Sequence, residues 1–147
     1  MYREKIDKVF RLSPKEREEI LVKLRELLES RDEVVLAVVF GGFLEDRDFH
    51  DIDIGVYLDP SKFDYWLKML DFLDEISEEL SKQVSIPVDL VLLNESPQWL
   101  RYRIFKGTVL VDKDPILRIS LENTAKENVL IRLLTEKIFH YHRCRKL

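Results

Sequence analysis

Asp51 and Asp53 stand two residues apart in the stretch DIDIGVYL, whose other members are mostly apolar. On an extended strand such residues point to one face, with Cα atoms roughly 6.5 Å apart, while Ile52 and Ile54 turn the other way into a core. Ionised carboxylates are costly to take out of water, and like charges side by side raise each other's pKa unless a cation meets them. A divalent metal is the natural cation, because Mg²⁺ commonly takes one or two carboxylates together with substrate phosphates. Asp89, the single charge in IPVDLVLL, reaches the same face if its strand lies alongside. Three carboxylates around two metals is the arrangement used for in-line phosphoryl and nucleotidyl displacement.

Ahead of Asp51, separated from it by the eight residues FLEDRDFH, an apolar run ends in Gly41 and Gly42. The chain has four glycines in all, which gives the adjacent pair weight. Backbone amides at such a pair can approach a polyphosphate closely. Singly, each motif is weak: Asp-x-Asp is common in turns, and Gly-Gly is usually just a turn. The signal lies in the succession of strand, Gly-Gly, spacer, strand with Asp-x-Asp, and a later strand with one Asp.

Those residues need elements to hold them. SPKEREEILVKLRELLES opens with Ser13 as a cap, Pro14 at the first helical position and Glu16 completing a capping box. Ile20, Leu21, Leu24, Leu27 and Leu28 then line one helical face. EVVLAVVF reads as a buried strand and DIDIGVYL as its neighbour, stopped by Asp59-Pro60. The amphipathic pattern predicts a long helix from Ser61 to about Lys82, with Phe63, Trp66, Met69, Leu70, Phe72 and Leu73 as its core or dimer stripe. IPVDLVLL follows as a third strand, then a short helix capped at Ser96 and closed by Gly107, and TVLVD as a fourth strand. A final long helix runs from Asp114, with Pro115 near its start. Interleaved helices and strands predict an α/β (α+β) architecture, a sheet of about four strands with helices packed on it.

At 147 residues the chain reads as one domain over 1–147, with 46% apolar residues to build a core. Its net charge of −4 argues against a general nucleic-acid binder. The basic cluster HYHRCRKL at the end reads as a solvated helix terminus. One cysteine, Cys144, excludes an internal disulfide and reads as inert. Without a signal peptide or an apolar run approaching 18 residues, the expected location is the cytoplasm, with no membrane contact.

The chain resembles a minimal nucleotidyltransferase (MNT) of the DNA-polymerase-β-like superfamily. That pattern is a hydrophobic residue, Gly, Gly or Ser, a spacer, Asp-x-Asp or Asp-x-Glu, and a later carboxylate; here it falls on Phe40, Gly41, Gly42, Asp51, Asp53 and Asp89. The second half resembles the antitoxin of HEPN/MNT toxin–antitoxin pairs. It matches over Val88–Asn94, Pro97, Leu100–Arg101–Ile104, Gly107 and Asp114–Arg118, so that the likeness spans roughly 30 to 140. The resemblance implies the nucleotidyltransferase fold with a mixed sheet, and Mg²⁺-dependent transfer of AMP from ATP to a tyrosine hydroxyl of a HEPN toxin ribonuclease. Asp51 and Asp53 would then hold two Mg²⁺ ions. Asp89 would share one of them and accept the proton of the attacking hydroxyl, and Gly41 and Gly42 would seat the triphosphate. Two features depart from the antitoxin pattern. Gly42 stands where the group has Ser, and the spacer is shorter and lacks an Arg-Gly, so that Arg47 takes the arginine's place toward the nucleotide.

Two other functions stay open beside this one: a nucleotidyltransferase with a different acceptor, and a catalytically silent module that neutralises a HEPN partner by covering it. A homodimer and a hetero-oligomer are both compatible with the sequence. His50 reads as a solvent-facing loop residue. His140 and His142 fall on different faces of a helix and make no metal site alone. Trp99, Tyr102 and Phe105 either stack a base or fill core under the short helix.

Overall fold

The structure, a computed structural model, describes residues 8–145 except Asp46, and of Cys144 and Arg145 only the backbone. The expectations for the first residues and for the Cys144 thiol therefore lie outside the described residues.

Helix α1 (Pro14–Glu29) starts at the capping box, where Glu16 N–H donates to Ser13 Oγ and Ser13 N–H donates to Glu16 Oε1. Its buried residues are Leu24 and Leu28. Strands β1 (Val34–Phe40) and β2 (Ile52–Leu58) follow, then α2 (Trp66–Val84), β3 (Val88–Leu92), α3 (Gln98–Ile104), β4 (Thr108–Asp112) and α4 (Pro115–Arg145). The sheet has four strands in the order β3-β2-β1-β4. β1 runs antiparallel to both β2 and β4, whereas β2 and β3 are parallel, joined by α2 as the crossover. The sheet is therefore mixed.

Strand alternation divides the core in two. Ala37, Val39, Ile52, Ile54, Val56, Leu58 and Val88 pack beneath α1 and α2. Leu36, Val38 and Phe40 face the other way, where Leu93 and Ile104 meet them and Leu121 of α4 closes over. Asp53 lies on this second face, because its neighbours Ile52 and Ile54 belong to the first. Gly55 shares that face with Asp53. A Cβ there would stand 2.8 Å from Ile104 Cγ2, so α3 rests directly on β2 beside the aspartates.

Two local expectations change, the start of the second helix and the cap of the third. The second helix begins at Trp66 rather than Ser61, because Asp59 accepts hydrogen bonds from the N–H and hydroxyl of Ser61 and holds 60–62 in a short 3₁₀ turn. Phe63 and Tyr65 are then extended, and the helix starts behind them. In its stripe Met69 and Leu73 are buried, but Trp66 is 53% exposed. Ser96 does not cap α3: its hydroxyl donates back to Leu92 O, and Pro97 occupies the cap position. Gly107 N–H does bond Ile104 O at 2.9 Å, yet its glycine identity answers to a close approach, since a Cβ there would lie 1.9 Å from Val39 O. Ile104, Leu100 and Phe105 fill the core under α3, while Trp99 stays exposed.

Candidate functional site

Parallel pairing puts Asp53 of β2 opposite Asp89 of β3, and antiparallel pairing puts it opposite Phe40, the last residue of β1. Asp51, just ahead of β2, completes the group. One carboxylate oxygen from each of the three aspartates lies within 4.8 Å of the others. The carboxylates named from spacing thus converge.

Their electrostatics fit a cation. Asp53 has its pKa pushed up to about 6, first by burial and then by the charges of Asp51 and Asp89, with Arg103 pulling the other way. Partial burial of the carboxyl, and then the charge of Asp51, raise the Asp89 pKa as well. All the clustered donors are hard anionic oxygens, the ligand type of Mg²⁺. The donor set therefore suits a divalent ion, which would supply the charge the cluster lacks.

Gly41 borders the cluster. It adopts φ 83° and ψ −157°, a region open essentially to glycine alone, and a Cβ on it would stand 3.0 Å from Asp53 Oδ2. The backbone at Gly41 and the Asp53 carboxylate are thus immediate neighbours. Gly42 opens a 3₁₀ turn, Gly42–Leu44, in an unstrained conformation. A Cβ at Gly42 would only touch the Arg47 guanidinium, at 3.5 Å. Arg47 therefore folds back over the glycines, where its Nε pairs with Glu45 at 2.5 Å.

The spacer is anchored at both ends. Phe43 and Phe49 are buried and meet edge to face at 5.1 Å. Phe49 exchanges backbone hydrogen bonds with Phe10, at 2.8 and 3.1 Å. His50 is exposed and contacts Lys8 O through Nδ1. His140 and His142 lie on the exposed length of α4, far along the chain from the aspartates.

Sequence reasoning missed two arginines. Arg103 on α3 is close enough for Asp53 to feel its charge, and no local pattern marked it out. Arg17 on α1 reaches the spacer, and nothing in the local pattern announced it.

Beyond Asp89, the polar residues of the downstream block hold elements together. Asn94 clasps β2 by accepting from Leu58 N–H and donating to Leu58 O, both at 2.9 Å. Arg101 donates to Leu93 O and Asn94 O. Asp114 caps α4 by accepting from Leu117 N–H, and Arg118 pairs with Asp112 at 2.6 Å.

Residues 22–116 match the family model described as polymerase beta, nucleotidyltransferase. No curated protein sequence matches the chain. Solved structures that share its fold include the following. The toxin–antitoxin MntA-HepT aligns at TM-score 0.57 and 17% identity, over 85% of this chain and 97% of that one. A complex of tri-AMPylated Shewanella oneidensis HEPN toxin with MNT antitoxin aligns at TM-score 0.55 and 18% identity, over 84% and 98%. A toxin–antitoxin structure with AMP-PNP aligns at TM-score 0.58 and 18% identity, over 83% and 96%.

Proposed function

The chain belongs to the polymerase β nucleotidyltransferase family, and from that premise we propose that it is an antitoxin that transfers AMP from ATP to a tyrosine hydroxyl of a HEPN-domain toxin. The observation that carries this reading is the convergence of Asp51, Asp53 and Asp89 within 4.8 Å, against a glycine-only backbone turn. That the structures sharing its fold include an MNT antitoxin with an AMPylated HEPN toxin, and a toxin–antitoxin with AMP-PNP, supports the choice of donor and partner. Large apolar side chains exposed along α4, among them Ile131, Leu134, Ile138 and Phe139, suit a protein partner. ATP as donor and a single cysteine fit a cytoplasmic protein.

In this reading Asp51 and Asp53 would hold two Mg²⁺ ions, with Asp89 sharing one, and the metal would supply charge neutralisation at the triphosphate. The amides of Gly41 and Gly42 receive phosphate oxygens, where a side chain at Gly41 would press on Asp53. Arg47, folded over Gly42, adds positive charge on the same side. Asp89 is the exposed member of the cluster, with a raised pKa, and takes the proton of the incoming hydroxyl. As that hydroxyl oxygen bonds to the α-phosphorus, the bond to pyrophosphate breaks.

The test is transfer of label from α-phosphate-labelled ATP to the HEPN toxin of the same genome, in the presence of Mg²⁺. Label on a toxin tyrosine that disappears with Asp53→Asn is the expected result. Toxin neutralised without label, by wild type and Asp53→Asn alike, would instead establish the silent binding module.

A further inference from the structure

Arg17, near the start of α1, spends its guanidinium on the spacer that joins the glycine pair to Asp51. Nη1 donates to Phe43 O at 3.2 Å and to Glu45 O, and Nη2 donates to Arg47 O at 3.1 Å. The guanidinium also lies over the Phe49 ring, 5.8 Å from its centroid. A single side chain thus satisfies three main-chain carbonyls and covers the aromatic anchor at the spacer's far end.

We propose that Arg17 is a positioning residue for the nucleotide. By clamping the Phe43, Glu45 and Arg47 carbonyls, it holds the glycine turn against Asp53 and keeps the Arg47 side chain over Gly42. This rests on the nucleotidyltransferase reading above. The chemistry explains why arginine stands there. Its rigid planar fork of donors reaches separated carbonyls at once, whereas a lysine ammonium is one point on a flexible stem. Exposed loops pay for order with conformational entropy, and besides the clamp the segment from Phe43 to Arg47 is tied by the packing of Phe43 and Leu44 and by the exposed Glu45–Arg47 pair. The clamp acts first on the triphosphate end of the site, since Asp53 and Asp89 are held by the pairing of β2 with β3.

The experiment compares wild type, Arg17→Met and Arg17→Lys in calorimetric titrations with Mg-ATP and, separately, with Mn²⁺ alone, alongside thermal melting. Arg17→Met should weaken Mg-ATP binding about ten-fold, the scale of one or two lost charged hydrogen bonds, while Mn²⁺ affinity changes by less than about two-fold on the same scale. Arg17→Lys keeps the charge over Phe49 and should recover part of the Mg-ATP affinity. Unchanged Mg-ATP affinity in Arg17→Met overturns the proposal. So does a parallel fall of Mg-ATP affinity, Mn²⁺ affinity and melting temperature in both variants, which would make Arg17 a fold residue only. If Arg17→Met does not fold, Arg17→Lys decides: weakened Mg-ATP binding with intact Mn²⁺ binding supports the clamp, and full affinity for both overturns it. A wild type that binds Mn²⁺ but not Mg-ATP would remove the nucleotide reading and the clamp's role with it.

Discussion

At the scale of single residues, the aspartates trade stability for a site. Asp53 titrates at about 6 in the fold and near its ordinary 3.8 once unfolded. Its contribution to stability is therefore fully present below about pH 4 and is lost as pH rises through about 6. Above that window the metal-free fold carries the cost of the extra charge. Asp53→Asn should then raise the melting temperature of the metal-free protein at pH 7.5 by a few degrees. After discounting for partial exposure, this corresponds to about 1 kcal/mol. At pH 4 the gain should vanish. Thermal melts of both proteins in chelator at the two pH values check this; a lower melting temperature for Asp53→Asn at pH 7.5 would contradict it. The two glycines separate cleanly at the same scale. Gly41→Ala forces a side chain into positive φ against Asp53 Oδ2, whereas Gly42→Ser meets ordinary contacts with Arg47 and the Phe49 Cβ. Gly42→Ser should melt within about 0.5 kcal/mol of wild type and bind Mg-ATP at least as tightly, read by melting and calorimetry; Gly41→Ala should lose Mg-ATP binding.

At the scale of elements, what the sequence disclosed follows from how local each cause is. The capping box at Ser13 and Glu16 involves residues three apart, and the Asp51/Asp53 face follows from strand alternation, so both were legible. The start of α2 was misplaced because Phe63 and Trp66 continue a helical apolar pattern, while Asp59 folds 60–62 into a separate turn. Ser96 has the residue type of a cap, yet its hydroxyl is bound to Leu92 O. Arg17 was invisible because its partners lie 26 to 30 residues away and are carbonyls, which every residue has. Gly107 does close α3 through its N–H to Ile104 O, and β1 crossing beside it adds a second constraint that has no local sequence mark. Gly107→Ala should therefore cost about 3 kcal/mol or more, because a Cβ 1.9 Å from Val39 O requires main-chain movement. Chemical denaturation measures this, and a loss below about 1 kcal/mol, the scale of the glycine-to-alanine propensity change itself, would show that the backbone yields.

At the scale of the molecule, one sheet positions both halves of the candidate site. β2 and β3 bring the carboxylates together, and the turn after β1 brings the glycine backbone to them. Among the described residues no helix is long and apolar enough to cross a membrane. Clustered negative charge within a chain of net charge −4 predicts that a divalent ion stabilises the whole fold. With Mg²⁺ at about 100 times its dissociation constant, linkage adds about 2.7 kcal/mol, visible as a melting shift that Asp53→Asn should largely abolish. The central claim, that this cluster and turn form a metal-dependent nucleotide site, is tested most directly by calorimetric titration of ATP into the full chain with and without Mg²⁺, repeated on Asp53→Asn. ATP binding that requires Mg²⁺ and is lost in Asp53→Asn is the expected result; equal binding by both proteins, or none by the wild type, would rule the site out.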